Sequence, residues 1–283
     1  EAGASKAFAS FYAVHGTALS ANNTLTSVDN KGLAALWYEQ EAEPDSLPGQ
    51  NSFIAGFIQA SVGDTSPNTL GARCEDGSPC DYETSTCIGS NGKNTTSTCI
   101  GRGPGFGDEA ARELSPTGGY DWRSNEIIAR LQVDAAKGIM DRTDLLSLSG
   151  TVKSAKMNVD MNSYTFTLPN GTSVNTCPAA LGFSFGGGTT DYPGPKGLGL
   201  EQGTNSSDHT NPLLTVVSHL IRPPSPATTK CHLPKKILLA TGQLDLPYQW
   251  SPHVVETQIL KVGSLFILVT PSEFTTMAGR LLK

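Results

Sequence analysis

Residues 123–142 read RSNEIIARLQVDAAKGIMDR, and residues 152–168 read VKSAKMNVDMNSYTFTL. In the first stretch Ile127, Leu131, Ala135 and Ile139 recur every four positions, which predicts a helix with that apolar stripe. Ser124 stands where it can cap the start. In the second stretch the period changes to two, through Val152, Met157, Val159 and Met161 and on to Tyr164, Phe166 and Leu168. Pro169-Asn170-Gly171 then signals a turn, so a β-hairpin or meander is expected. Helices and strands mix here without a strict βαβ alternation. The expected class is α+β, with mixed and antiparallel β-sheets flanked by helices.

Upstream, Phe11-Tyr12-Ala13-Val14 reads as a strand ending at His15-Gly16. Gly32 to Gln40 reads as a helix with Leu33, Leu36 and Trp37 on one face. Phe53 to Val62 is a second apolar run, closed by Gly63-Asp64. Downstream, Gly182 to Gly199 reads as a long glycine-rich loop and Pro223 to Pro226 as a break. Ile237 to Ala240 is a short buried strand. Thr257–Val262 and Leu265–Val269 flank Gly263-Ser264 as a hairpin, and a helix begins near Thr275. No internal repeat appears, and no linker forces a domain boundary.

The 283 residues carry a formal net charge of -6, with 16% charged. No basic stripe is present, which excludes nucleic acid as an expected partner. The 30 glycines and 18 prolines imply many turns. No apolar run approaches the ~18 residues of a membrane span; the longest candidate, Leu265 to Val269, is strand-sized. The chain opens on Glu1 without a basic and then apolar leader, and closes at Lys283 within an expected helix. Both ends are therefore expected to be cut.

Six cysteines are present, four of them as C-x5-C-x6-C-x11-C at Cys74, Cys80, Cys87 and Cys99, with Cys177 and Cys231 beyond. This spacing lacks the short knuckles of structural zinc sites, so disulfides are expected, in a pairing the spacing leaves open. The region from Gly71 to Gly107 is rich in Gly, Ser, Thr and Asn and would need cross-links to hold it. Acceptor sequons at Asn22, Asn94, Asn170 and Asn205 point with the cysteines to an oxidising, secretory route.

Three polar residues, His15, Ser66 and Glu273, each follow an apolar strand-like run, the place where loops carry function. His and Glu are ordinary zinc ligands, and a catalytic zinc keeps one position open. Each residue also has a plainer reading from pattern alone. A lone His without an H-x-H or H-E-x-x-H partner reads as an imidazole bonded to backbone. Glu273 would favour a helix dipole. Ser66 before Pro67 would make a turn, and no G-x-S-x-G elbow surrounds it. The runs Gly101-Arg102-Gly103-Pro104-Gly105 and Gly186-Gly187-Gly188 lack P-loop or Rossmann spacing and read as flexible loops. His209, His219, His232 and His253 show no metal-like spacing.

Several segments, in order, resemble the neutral ceramidases over nearly the whole chain. They are Ala13-Val14-His15-Gly16-Thr17, Asp29-Asn30-Lys31-Gly32, Gly63-Asp64-Thr65-Ser66-Pro67-Asn68-Thr69-Leu70-Gly71 and the cysteine loop ending in Gly103-Pro104-Gly105. Cys177-Pro178-Ala179-Ala180-Leu181-Gly182, Gly188-Thr189-Thr190-Asp191 and Glu273-Phe274-Thr275-Thr276-Met277-Ala278-Gly279-Arg280 complete the set. The resemblance implies a secreted or extracellular Zn2+-dependent hydrolase that cleaves the amide of ceramide, releasing sphingosine and a fatty acid, in peripheral contact with membrane lipid. It implies that His15 and Glu273 bind zinc and that Ser66 is the active-site serine. It implies disulfides Cys74–Cys87, Cys80–Cys99 and Cys177–Cys231.

The same resemblance implies that residues 1–283 are part of a catalytic domain truncated at both ends. A zinc histidine in an upstream T-H-T-H segment, a downstream zinc tyrosine and a C-terminal immunoglobulin-like domain are then expected to lie outside it, leaving the piece alone inactive. Departures from the family pattern are Thr65 for valine, Gly186-Gly187-Gly188 for Ala-Ala-Gly, Gln243 for glutamate, and Leu281-Leu282 within a run of arginines. They leave room for a catalytically impaired lipid-binding homologue, or for an amidase on another N-acyl lipid. Two mechanisms fit: attack by zinc-activated water with Ser66 stabilising the oxyanion, or attack by Ser66 itself.

Overall fold

The computed structural model describes residues 5–96, 98–194, 200 and 223–283. The chain runs through β1 (Ala7–Phe11), α1 (Asp29–Ala42) and β2 (Ile54–Ile58), then through the short strands of the cysteine loop, β3 (Ala72–Arg73), β4 (Cys87–Ile88), β5 (Asn94–Thr95) and β6 (Ile100–Gly101). Next come α2 (Glu109–Leu114), α3 (Asp121–Met140), β7 (Val152–Asp160), β8 (Thr165–Thr167), β9 (Ser173–Asn175), β10 (Leu181–Gly182) and α4 (Phe183–Gly187). It closes with α5 (Pro226–His232), β11 (Ile237–Leu239), β12 (Val254–Val262), β13 (Leu265–Val269) and α6 (Thr276–Leu282). Among the described residues, helices and antiparallel pairs coexist with one parallel pair, β1–β2, in the expected α+β class.

That parallel pair carries the core. Phe8 and Ala55 face each other across it, α1 packs over it through Ala34 and Tyr38, and α3 packs on α1, adding Ala129, Val133 and Ala136 to the same core. The Tyr38 ring meets Phe8 and Phe53 edge-on, at 5.4 and 5.3 Å between centroids. Parallel strands deliver their carboxyl ends to the same side, so the loops after Phe11 and after Ile58 emerge next to each other. This local topology sets up the site.

Several expectations change in the structure. The first strand is Ala7–Phe11 rather than residues 11–14, and Phe11 and Tyr12 are exposed. In α3 the buried face is Asn125, Ile128, Ala129, Gln132, Val133 and Ala136, whereas Leu131 is 59% and Ile139 47% exposed. Alanines let α3 approach α1 closely, and the polar Gln132 is buried with a partner, its Nε2 donating to Asn30 Oδ1 at 3.0 Å. A stripe chosen by apolar spacing alone therefore picks the wrong face. Nor does Ser124 cap α3: its Oγ accepts from the Gly105 amide at 3.1 Å and donates to the Tyr120 carbonyl at 3.0 Å, one turn inside the helix.

The residue 182–199 stretch is not all loop, since α4 occupies Phe183–Gly187; residues 195–199 lie outside the described residues. The expected hairpins form, β8–β9 around Gly171 and β12–β13 around Gly263, both with positive φ. Helix α6 starts where expected, with the Thr275 side chain accepting from the Ala278 amide. In β7 only Val159 is buried.

The three disulfides join Cys74–Cys87, Cys80–Cys99 and Cys177–Cys231, with Cα–Cα separations of 5.7, 5.8 and 5.9 Å, and no cysteine is free. The Cys74, Cys80 and Cys87 sulfurs crowd within 4.8 Å, but all are consumed by these bonds and cannot ligate a metal. Asn22, Asn94 and Asn170 are exposed; Asn205 falls outside the described residues, as do His209 and His219.

Candidate active site and metal position

Beyond β1 and β2 the ladder continues by one bond, from the Tyr12 amide to the Ile58 carbonyl at 3.1 Å. The Gln59 side chain then clasps the Val14 backbone through both its amide and its carbonyl. This brings His15 against the Thr65 carbonyl, which accepts from the His15 backbone amide at 3.1 Å and from its Nδ1 at 2.7 Å. A carbonyl only accepts, so Nδ1 carries the proton and Nε2 carries the lone pair. From behind, buried Asn30 donates through Nδ2 to the His15 carbonyl at 2.9 Å. Asp29, with a φ of 52°, accepts from the Ala18 and Leu19 amides at 3.2 and 2.9 Å and fixes the rest of that loop.

In the Gly63–Asn68 run each residue has a separate task. The Gly63 amide donates to the Phe274 carbonyl at 2.8 Å, and a Cβ on Gly63 would stand 2.5 Å from the Glu273 carbonyl oxygen. Asp64 Oδ1 accepts from the Thr276 amide at 2.7 Å and from its hydroxyl at 2.8 Å. Those Thr276 donors hold the Asp64 carboxyl below its ordinary range. Gly63 and Asp64 thus seat the Glu273 segment, Thr65 holds His15, and Ser66 presents its hydroxyl. Pro67 is fully buried and anchors the turn.

Glu273 Oε2 therefore lies 3.6 Å from His15 Nε2. With the neutral imidazole, two electron-pair donors face each other there, an arrangement a cation relieves. With metal–ligand bonds of about 2.0–2.2 Å, two donors on a tetrahedral ion stand roughly 3.4 Å apart. His15 and Glu273 thus fit as neighbouring ligands of one ion. The Nδ1–H to carbonyl bond is the support that orients a metal-binding histidine. No group of three His, Asp or Glu ligand atoms forms among the described residues, so further ligands would come from outside them.

Ser66 is exposed and donates from Oγ to Asp191 Oδ2 at 2.7 Å. The same oxygen accepts from Thr17 Oγ1 at 3.0 Å, and Ser66 Oγ in turn accepts from the Asn68 amide at 3.0 Å. The structure thus brings His15 and Glu273 together and places Ser66 one peptide beyond the His15 anchor. Sequence reasoning assigned no role to Asp191, Thr17, Asn30 or Asp64. Asp191 is 125 positions from Ser66, so no local spacing could reveal the pair; the one signal was an acidic residue closing the quoted Gly188–Asp191 run. His232 and His253 are engaged elsewhere, with the Pro178 carbonyl and with Asp245.

The family model "Neutral/alkaline non-lysosomal ceramidase, N-terminal" matches residues 1–283. The chain is 37% identical to the neutral ceramidase of Drosophila melanogaster, over 96% of this chain and 37% of that protein. It is 38% identical to neutral ceramidase A of Dictyostelium discoideum, over 97% of this chain and 36% of that one. Among solved structures it resembles a ceramidase complexed with C2, with a TM-score of 0.65 and 26% identity, over 98% of this chain and 35% of the other. The chain thus spans little more than a third of the length of these relatives.

Proposed function

This chain belongs to the neutral/alkaline non-lysosomal ceramidase family, and from that premise we propose that the complete protein is a zinc-dependent amidase that hydrolyses ceramide to sphingosine and a free fatty acid. The observation that carries the reading is the 3.6 Å approach of His15 Nε2 to Glu273 Oε2, beside the loop that presents Ser66. Amide hydrolysis needs help at both ends, because the carbonyl is a poor electrophile and the amine a poor leaving group. When bound, a zinc ion supplies Lewis acidity that polarises a carbonyl and acidifies water. His15 and Glu273 would hold it, and the Thr65 carbonyl keeps the imidazole turned so that Nε2 points toward Glu273. Ser66 meets the substrate carbonyl, its Oγ either attacking the acyl carbon or supporting the oxyanion.

Ceramide is a membrane lipid, and no helix among the described residues is long and apolar enough to cross a membrane. In this reading the enzyme takes its substrate by peripheral contact with lipid. Three disulfides and the exposed Asn22, Asn94 and Asn170 support a secreted, glycosylated protein. The direct test is sphingosine release from ceramide by the complete protein, compared with hydrolysis of N-acylethanolamine and repeated after chelation. Preferential ceramide turnover that chelation abolishes is expected. Faster N-acylethanolamine hydrolysis, or turnover indifferent to chelation, contradicts the reading.

A further inference from the structure

We infer that Asp191 is a catalytic residue of this amidase, the proton acceptor that makes Ser66 its nucleophile; the inference rests on the reading of Ser66 as the active-site serine. A serine hydroxyl has one proton and two lone pairs. The proton of Ser66 is committed to Asp191 Oδ2 at 2.7 Å, and one lone pair is taken by the Asn68 amide at 3.0 Å. What the exposed Oγ still offers is its second lone pair. It is equipped to attack an electrophile and has no proton free for an oxyanion.

Imidazole, the common base for a serine, is spent elsewhere at this site: His15 Nδ1 is bonded to the Thr65 carbonyl, and Nε2 faces Glu273. The carboxylate is the basic group that touches Oγ. It is also held from sides that do not involve Ser66. Thr17 Oγ1 donates to the same oxygen at 3.0 Å. Gly101 lies so close to the other oxygen that a Cβ would stand 2.5 Å from Oδ1. The Gly101 amide ties the neighbouring Thr190 carbonyl to β6 at 2.9 Å, and the Thr189 amide closes the loop on the Tyr192 carbonyl at 2.9 Å.

The step balances as follows. The Ser66 Oγ–C bond forms at the acyl carbon while the Oγ proton passes to Asp191. A carboxylate is a weak base toward an alcohol, so the proton moves with bond formation rather than ahead of it. The C–N bond then breaks, and the leaving sphingosine nitrogen takes the proton from Asp191. Water next attacks the acyl-Ser66 ester and gives its proton to Asp191. The C–Oγ bond breaks, the proton returns to Oγ, and the fatty acid departs.

The test uses the complete protein and the variants Asp191→Asn and Asp191→Ala. The carboxamide of D191N still accepts a hydrogen bond from Ser66 but cannot take its proton. Expected are a fall in kcat of about 10²- to 10⁴-fold, KM within about threefold, unchanged zinc content, and Ser66 labelling by a fluorophosphonate probe slowed in parallel. D191A should regain turnover with added formate. D191N with kcat within about threefold of the parent overturns the assignment, and so does loss of zinc together with turnover. If the parent labels at Ser66 but leaves ceramide intact, the substrate reading fails, while slower labelling of D191N still upholds the pair.

Discussion

The Thr65 carbonyl accepts two hydrogen bonds from His15, one from its backbone amide at 3.1 Å and one from Nδ1 at 2.7 Å. One peptide group therefore joins the candidate metal ligand to the candidate active-site serine next along the chain. It fixes the tautomer that leaves Nε2 bare toward Glu273. A shift of this peptide moves Nε2 and Ser66 Oγ together, so changes around it should affect zinc affinity and turnover jointly.

Gly63→Ala tests how the Glu273 segment is seated. The new Cβ would stand 2.5 Å from the Glu273 carbonyl oxygen, and backbone cannot yield as a flexible side chain can. A stability loss of about 1–3 kcal/mol is expected, with weakened zinc binding because Glu273 is pushed away from His15. Chemical denaturation and zinc titration of the complete protein read both effects; an unchanged variant would mean the close approach is not required.

Asp64 gives a pH dependence. Its carboxyl is lowered by hydrogen bonds from the Thr276 amide and hydroxyl. A lowered carboxylate contributes stability that is fully present above its unfolded pKa of about 3.9 and lost as pH falls through the folded value. The stability difference between the parent and Asp64→Asn should therefore be constant above about pH 5 and shrink toward acid. A difference that stays level down to about pH 2 would show that the charge on Asp64 plays no part.

Asn30 is buried and satisfies three neighbours: it donates to the His15 carbonyl at 2.9 Å and to Asp29 at 2.7 Å, and accepts from Gln132 at 3.0 Å. Asn30→Ala takes from the His15 carbonyl this donor and from Asp29 and Gln132 one bond each, and should cost about 1–3 kcal/mol. Because Gln132 is one of the partners, Gln132→Ala combined with Asn30→Ala should cost less than the two single losses summed. Strict additivity in denaturant melts would sink the proposed coupling between α3 and the His15 loop.

Element types were legible where the local pattern matched the local physics. The two hairpins followed from their turn residues, and α6 starts near Thr275, where the sequence placed it. The buried face of α3 was not legible, because Gln132 and Asn125 are polar and Ala129 and Ala136 are small; their burial depends on α1, which no spacing within α3 reveals. At the site, pattern alone read His15 as a backbone-bonded imidazole and Glu273 as a helix-dipole partner, and the zinc roles came from the family resemblance; the 3.6 Å approach of the two spans nearly the whole chain and rests on Gly63 and Asp64. The Asp191–Ser66 bond lay equally beyond local pattern. The disulfide pairing followed from family resemblance, since spacing alone chose none.

A catalytic zinc takes three protein ligands and an open position, and in the proposed reading His15 with Glu273 would supply two. The isolated chain should bind zinc well below the affinity of the complete protein and hydrolyse ceramide at least about 100-fold more slowly. Titration against a metal indicator and sphingosine release would show it; stoichiometric tight zinc with full turnover would mean that the described ligands suffice.

The most direct test of the shared metal position is the zinc content of the complete protein and of His15→Ala and Glu273→Ala, measured by plasma mass spectrometry after dialysis. One zinc per parent chain and substoichiometric zinc in each variant are predicted, with ceramide hydrolysis lost in step. Full zinc retained in both variants would contradict the account, because the ion would then be held by neither of the two residues that the fold brings within 3.6 Å of each other.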